Sequence, residues 1–402
     1  MRVCMVAYTF YDSDNRVMRY AETLAKRGDE VDVIALREQD GAPVTTRNGV
    51  RVLHIQGRLV NEKSQFTYLF RILLFFMRAM WVLSINHLRK PYRFVHVHSV
   101  PDFLVFTAWL PRITGAKIIL DIHDVLPEFY ASKFSASAES LIFKSLVWVE
   151  RASCAFVHHV IIANDLWLQR LQSRSVPASK CTAVLNYPDP SIFFRRGRTR
   201  NDDRFVMLYP GTLSHHQGLD VAIRAFVKIK DIAPQADFHI YGVGRALPGL
   251  KAQVKEAQVE DRVLFFEPMA MWDIARVMEN ADLAVVPKRK DSFGNEAFST
   301  KTLEFMALGV PLLISDTAVD LYYFNDRIVT FARSGDENDF AEKMLKLIRD
   351  PSARQRQVQN ADEFIKLNNW DAKKSEYLSL VDSLTGNRAP APVKAPEKTA
   401  VR

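Results

Sequence analysis

The chain has 402 residues, 48% hydrophobic and 25% charged, which is ordinary globular composition and enough length for two or three domains. Three scattered cysteines, Cys4, Cys154 and Cys181, argue against a disulfide framework or a zinc site and fit a reducing compartment. The formal charge of +8 is concentrated early: residues 1–200 carry 27 Lys+Arg against 17 Asp+Glu, and residues 201–402 carry 27 against 29. A basic first half suits an acidic partner, anionic lipid or a phosphorylated ligand, and nucleic acid is the least supported because no zinc finger, ribonucleoprotein motif or basic stripe is present.

From the N-terminus, RVCMVAY (2–8) and EVDVIAL (30–36) read as strands around a helix over Val17–Arg27. FVHVHS (94–99) and KIILDIHD (117–124) read as two more, with Phe103–Ile113 helical between them. HHVIIAND (158–165) and CTAVLN (181–186) follow. Alternating strands and helices at this spacing predict a parallel sheet covered on both faces. The pattern restarts at FVMLYPG (205–211) and continues through helix 219–230, DFHIYGVG (237–244), helix 248–257, RVLFFE (262–267), helix 272–279, LAVVP (283–287) and VPLLIS (310–315). The expected class is α/β, with two doubly wound units binding ligands at the carboxyl ends of their strands across a cleft. Residues 1–190 form the first and 200–370 the second; 371–386 form a helix expected to return to the first, and the Ala/Pro/Lys-biased tail 387–402 is expected to be disordered. Residues 187–204, rich in Pro, Arg and Asp, read as a linker.

FTYLFRILLFFMRAMWVLSI (66–85) has the length of a membrane span. Its apolar residues contribute roughly −3 to −7 kcal/mol to insertion, while Arg71 and Arg78 each cost roughly 2.5 to 3.5 kcal/mol near the centre. A single crossing would also part the first two strands from their sheet. Residues 66–90 therefore read as a membrane-associated helix flanked by Lys63, Arg89, Lys90 and Arg93, with a buried core helix as the alternative.

The chemistry concentrates in NEAFSTKTLEFMALGVP (295–311). A helix beginning near Ser299 offers unpaired N–H groups, and Lys301 adds a full positive charge, a combination suited to a diphosphate. Glu304, about one turn on, faces the same side and can accept hydrogen bonds from a ribose diol. Glu296, on the preceding loop, can reach sugar hydroxyls. Ribose, diphosphate and hexose in that order describe a nucleotide sugar.

This stretch resembles the E-x7-E signature of retaining glycosyltransferases of the GT-B fold, glycosyltransferase family 4 (group 1), and is most similar to bacterial members that build exopolysaccharide, capsule or O-antigen. LAKRGDEVDVIAL, KIILDIHD, DFHIYGVG and SGDENDFAEKMLKLIRDP with Trp370 extend the resemblance over nearly the whole chain. It implies a GT-B fold of two Rossmann-like domains and a metal-independent hexosyl transfer from a UDP- or GDP-sugar, without a cofactor. The acceptor it implies is a lipid-linked glycan, probed from the cytoplasmic face of the cell membrane. It assigns His123 and Glu296 to catalysis. On the donor side it places Gly211, Thr212, Gln217, Gly242, Gly244, Met269, Lys288, Phe298, Ser299, Thr300, Lys301 and Glu304. Asp14, Arg16, His98, Asp102 and Asp124 fall on the acceptor side, where solvated turns and a helix cap remain the alternatives. The chain departs from the family pattern at Thr212 and Gln217, which replace the usual basic phosphate ligands; Lys288, Arg289 and Lys301 are the candidates for the missing charge. Gly242-Val243-Gly244 resembles a dinucleotide fingerprint, but Leu247 occupies the third glycine's place, which disfavours a dehydrogenase. A non-catalytic scaffold of the same fold is the other alternative.

Overall fold

The computed structural model describes residues 1–38, 41–57, 65–134 and 139–386; Lys63 and the tail 387–402 lie outside them. The chain divides into two compact units, one of Met1–Asn186 joined by the segment that begins at Lys374, the other of Tyr187–Lys373.

The first unit holds β1 (Arg2–Phe10), α1 (Asn15–Lys26), β2 (Glu30–Arg37), β3 (Val44–Arg47), β4 (Val50–Gly57), α2 (Gln65–Arg89) and β5 (Phe94–His98). A 3-10 segment, Asp102–Ala108, then runs into α3 (Trp109–Ile113). β6 (Lys117–Ile122), α4 (Leu126–Phe134), α5 (Leu141–Phe156), β7 (His159–Ile162), α6 (Asp165–Arg174) and β8 (Cys181–Ala183) complete it. The sheet order is β3-β4-β2-β1-β5-β6-β7-β8, parallel except for β3 against β4. β1 is buried from Arg2 through Tyr8, as an apolar strand covered on both faces must be. The β3–β4 hairpin was not anticipated. Its signal was Asn48-Gly49, whose φ angles of 49° and 82° both lie in the left-handed region that a two-residue hairpin turn requires.

The second unit comprises β9 (Phe205–Pro210), α7 (Leu219–Ile229), β10 (Ala236–Tyr241), α8 (Leu247–Glu256), β11 (Val263–Phe266), α9 (Met271–Glu279) and β12 (Leu283–Val286). It continues with α10 (Thr300–Leu308), β13 (Leu312–Ser315), α11 (Ala318–Tyr323), β14 (Thr330–Ala332), α12 (Glu337–Arg349) and α13 (Pro351–Leu367). Its wholly parallel sheet runs β11-β10-β9-β12-β13-β14. The strand order reverses between β9 and β12, so the loops leaving those two strands border the switch-point crevice where ligands bind in such sheets. In the first unit the reversal falls between β1 and β5.

α14 (Trp370–Thr385) begins in the second unit and passes into the first at Lys374, where Tyr377 and Val381 are buried. The segment 187–204 is not a loose linker. Glu279 accepts from the backbone of Gly197 at 2.8 Å, Asn280 from Thr199 and Arg200, and Asp282 pairs with Arg198 and Arg200. Its arginines find carboxylates at the α9–β12 junction, and this belt belongs to the second unit.

α2 has two faces. Ile72, Phe75, Ala79 and Leu83 are buried, and Phe75 meets Tyr8 of β1 edge-on at 5.1 Å. Phe76 packs on Phe103 at 5.9 Å. Phe70, Leu73, Met77, Trp81 and Leu88 form an exposed stripe along the opposite side. The helix is long and apolar enough to cross a membrane, but its inner stripe is part of the core beside β1, contacts that a crossing would break.

Candidate active site

In the second unit three loops converge at the carboxyl edge of the sheet. The first, 211–217, leaves β9; the second, 242–246, leaves β10; the third, 288–298, leaves β12. The first two lie against each other: a Cβ on Gly242 would fall 2.0 Å from the Gly211 carbonyl oxygen, and one on Gly244 the same distance from that of Leu213. Only glycine permits this approach. The third loop is tied to the first by Arg289 N–H donating to the His216 carbonyl at 2.9 Å, and Phe293 meets His216 edge-on.

α10 starts at this junction. Its preceding residue, Ser299, makes no side-chain cap, and the buried Ser299 Oγ has no partner; Thr302 N–H turns back to the Ser299 carbonyl at 3.2 Å, and the N–H groups ahead of it at a helix start without a side-chain cap are open to another acceptor. Lys301 projects to Gly211, its Cε 2.8 Å and its Nζ 3.3 Å from where a Cβ would stand, with Nζ 5.1 Å above the Tyr209 ring. Burial lowers Lys301 to about 8, opposed by the charge of Glu304. Glu296 and Glu304 are both half-buried at the two ends of this segment. Gln217 is half-buried, its Oε1 buried without a partner; Thr212 and Met269 are exposed. An uncapped helix start, a single cation and a carboxylate one turn on can receive a diphosphate and a diol together.

In the first unit the decisive group is Asp121 on β6, wholly buried. Arg16 of α1 grips it with Nε and Nη2, each at 2.7 Å. On its other side Oδ2 lies 3.3 Å from His98 Nδ1 and 3.3 Å from His123 Nε2, and those two nitrogens are 3.2 Å apart. Burial opposes the charge, but Arg16, His123 and His98 hold the Asp121 carboxyl well below its ordinary range. Burial lowers His98, leaving a neutral ring with one proton. Its Nε2 is buried without a partner, so a proton there would be stranded, whereas a proton on Nδ1 reaches Asp121. His123 Nε2 faces the same carboxylate oxygen, and the His123 ring is part-exposed. Behind them His96 meets the Tyr377 hydroxyl at 3.0 Å. His96, His98 and Asp121 have ligand atoms within 4.8 Å of one another, yet both oxygens of Asp121 are already bonded to a guanidinium, whose fixed charge opposes a second cation there.

Residues 13–186 match the family described as "Glycosyl transferase 4-like domain", and residues 191–364 match "Glycosyl transferases group 1". The chain belongs to the group 1 glycosyltransferases. It is 22% identical over 306 residues to the alpha-D-kanosaminyltransferase of Streptomyces kanamyceticus, covering 70% of this chain and 75% of that one. Over 153 residues, 37% of each chain, it is 26% identical to a putative colanic acid biosynthesis glycosyltransferase of Escherichia coli K12. Among solved structures it is similar to Anabaena HepE in complex with UDP-glucose, with a TM-score of 0.71 at 14% identity, over 95% of this chain and all of that one. The fold of this glycosyltransferase is GT-B, with two Rossmann-like domains.

Several residues of the glycosyltransferase stand elsewhere than the sequence suggested. Arg16 does not line an acceptor site; it is buried as the counter-ion of Asp121. Asp14 caps α1, accepting from Val17 N–H at 3.1 Å. Asp12 and Asp14 have the spacing of a metal pair that the sequence reading passed over, but Asp12 pairs with Arg47 and Asp14 with the helix. His98 lies behind His123 rather than at a surface. Asp102 is buried, where burial, helped by the charge of Glu150, pushes it up to about 7. Asp124 is half-buried and likewise raised by burial. Lys288 is not a phosphate ligand: its Nζ is buried on Asp320 at 2.9 Å and the Ala297 carbonyl at 2.6 Å. Arg289 pairs with Asp220. Phe298 packs its ring on Tyr323 and Phe324. Of the three candidate cations, Lys301 alone projects to the Gly211 loop. Asp121 was missed, although an acid inside the apolar run KIILDI is a signal in itself.

Proposed function

We propose that this glycosyltransferase moves a hexose from a UDP- or GDP-sugar to a polyprenyl-diphosphate-linked glycan, with retention at the anomeric carbon, in the building of a bacterial surface polysaccharide. The observation that carries the reading is the placement of Lys301 and Glu304 on the uncapped first turns of α10, beside Gly211 at the β9/β12 switch point. In this reading Lys301 and the α10 N–H groups receive the diphosphate, where charge builds as the sugar departs. They do so in place of a metal ion. Glu304 holds the ribose, and Glu296 the hexose. Asp121 orients His123, which this reading assigns to catalysis. The E-x7-E spacing supports retention. The UDP-glucose held by HepE supports the donor class, and the colanic acid relative supports the polysaccharide context. The basic first unit and the outer stripe of α2 support work at the inner face of the cell membrane.

A panel of UDP- and GDP-sugars, scored by thermal shift and nucleotide release, tests this. One donor is expected to raise the melting temperature and turn over, with turnover unchanged by EDTA. Glu304→Ala is expected to weaken donor binding about tenfold to a hundredfold, the equivalent of a lost charged hydrogen bond. A folded Glu304→Ala protein that binds and turns over the donor as the parent does would overturn the donor assignment. Loss of turnover in EDTA, restored by magnesium, would overturn the metal-free clamp.

A further inference from the structure

The outer stripe of α2 is not isolated. The 3-10 segment Asp102–Ala108 runs between α2 and α5: Phe103 meets Phe76 of α2 at 5.9 Å, and Phe106 meets Phe156 of α5 at 5.1 Å. α3 continues that segment. The three helices therefore belong to one layer of the first unit, and each exposes large apolar side chains. α2 shows Trp81 at 68%, α3 shows Ile113 at 67%, and α5 shows Leu141 at 84% and Trp148 at 69%. Such a run of exposed apolar groups marks an interaction surface.

Charge identifies the partner. α2 and α3 contain no Asp or Glu. The only acid in α5 is Glu150, which is buried and paired with Arg174 at 2.6 Å. Exposed cations interleave with the apolar groups: Arg78 on α2, Arg112 on α3, Lys144 and Arg151 on α5. Glu139, just ahead of α5, is an exposed acid at the margin. Tryptophan beside lysine and arginine, with apolar tips and the one exposed carboxylate confined to the margin among the described residues, is the chemistry of an interface with anionic headgroups.

We propose that α5 and α3 join α2 in a single face that docks on an anionic bilayer, with Trp148 and Leu141 as anchors distinct from those on α2. The inference rests on the membrane reading above and adds a second set of contacts to it. Anchors on more than one helix hold the first unit in one orientation on the surface, where one helix would leave it free to roll about its axis.

Co-sedimentation with phosphatidylglycerol/phosphatidylethanolamine vesicles, with phosphatidylcholine vesicles as control, separates the cases. The full chain is expected to bind the anionic vesicles and to be released by high salt. Trp148→Ser with Leu141→Ser is expected to weaken binding at least about tenfold, as loss of two exposed apolar anchors should, with an unchanged melting curve. Lys144→Glu is expected to weaken binding to anionic vesicles and leave the melt unchanged, which keeps the test open if the double variant misfolds. If both α5 variants sediment like the parent while Trp81→Ser with Met77→Ser is released, α2 acts alone and this proposal fails while the membrane reading stands. If the parent itself does not sediment with anionic vesicles, both fail.

Discussion

Asp102 and Lys301 carry the clearest consequences of single-residue environment. In the fold Asp102 keeps its proton up to about pH 7, against an ordinary 3.8. The unfolded chain releases that proton near the ordinary value. The stability this provides is complete below about pH 4 and is lost as pH rises to 7. Asp102→Asn, which stays neutral, is expected to be more stable than the parent at pH 8 by up to about 4 kcal/mol, read as a higher melting temperature, with little difference at pH 4. Thermal denaturation at the two pH values measures it; an equal difference at both would show that the shift is not the cause. For Lys301, lowered to about 8 by burial, the cationic form is the one that receives a diphosphate. The donor kcat/KM reports the free enzyme, so it is expected to decline above about pH 8. Lys301→Arg, which stays charged, should carry that decline out of the measurable range. A limb that stays put in the Arg variant would assign it to another group.

Among the elements, α2 shows most plainly what periodicity settles and what it leaves open. Its apolar content is too even to distinguish the inner stripe from the outer by composition. The side toward β1 is fixed by Tyr8, which receives Phe75, and by the 3-10 segment, which receives Phe76. Phe75→Ala is therefore expected to cost about 3–5 kcal/mol of stability, as truncation of buried aromatics does, read as a lowered melting temperature in lipid-free solution. An unchanged melt would place Phe75 on the surface. α10 shows the reverse case. Its Gly309 stop, with φ of 73°, was readable from the Gly-Val-Pro end, because a left-handed glycine cap is local chemistry, whereas its start at Thr300 carries no side-chain cap.

At the scale of the whole molecule, α14 couples the end of the chain to the first unit. The Tyr377 hydroxyl reaches His96 at 3.0 Å, and its ring lies 4.3 Å from that of Tyr20. Arg27 of the first unit pairs with Asp382 at 2.8 Å. Tyr377→Ala is expected to lower stability by about 3–5 kcal/mol, whereas Tyr377→Phe, losing one hydrogen bond, should cost about 1 kcal/mol. Calorimetry of both variants checks this, and an equal cost for the two would put the weight on the hydroxyl instead of the ring.

By itself the sequence determined two doubly wound units, most strands and helices, and the segment 295–311, because alternation, caps and motif spacing are local along the chain. Tertiary structure decided which charges were already engaged. Nothing near Arg16 in sequence announces Asp121, 105 residues away, and nothing near Lys288 announces Asp320; each was offered to a ligand because its partner lies on another element. Burial likewise turned His98 and Asp102 from candidate surface groups into interior ones. Lys301 remained at the Gly211 loop for the converse reason: β9 and β12 are neighbours in the sheet only after β10 and β11 have been laid on the far side, and that crossover brings the start of α10 to the end of β9.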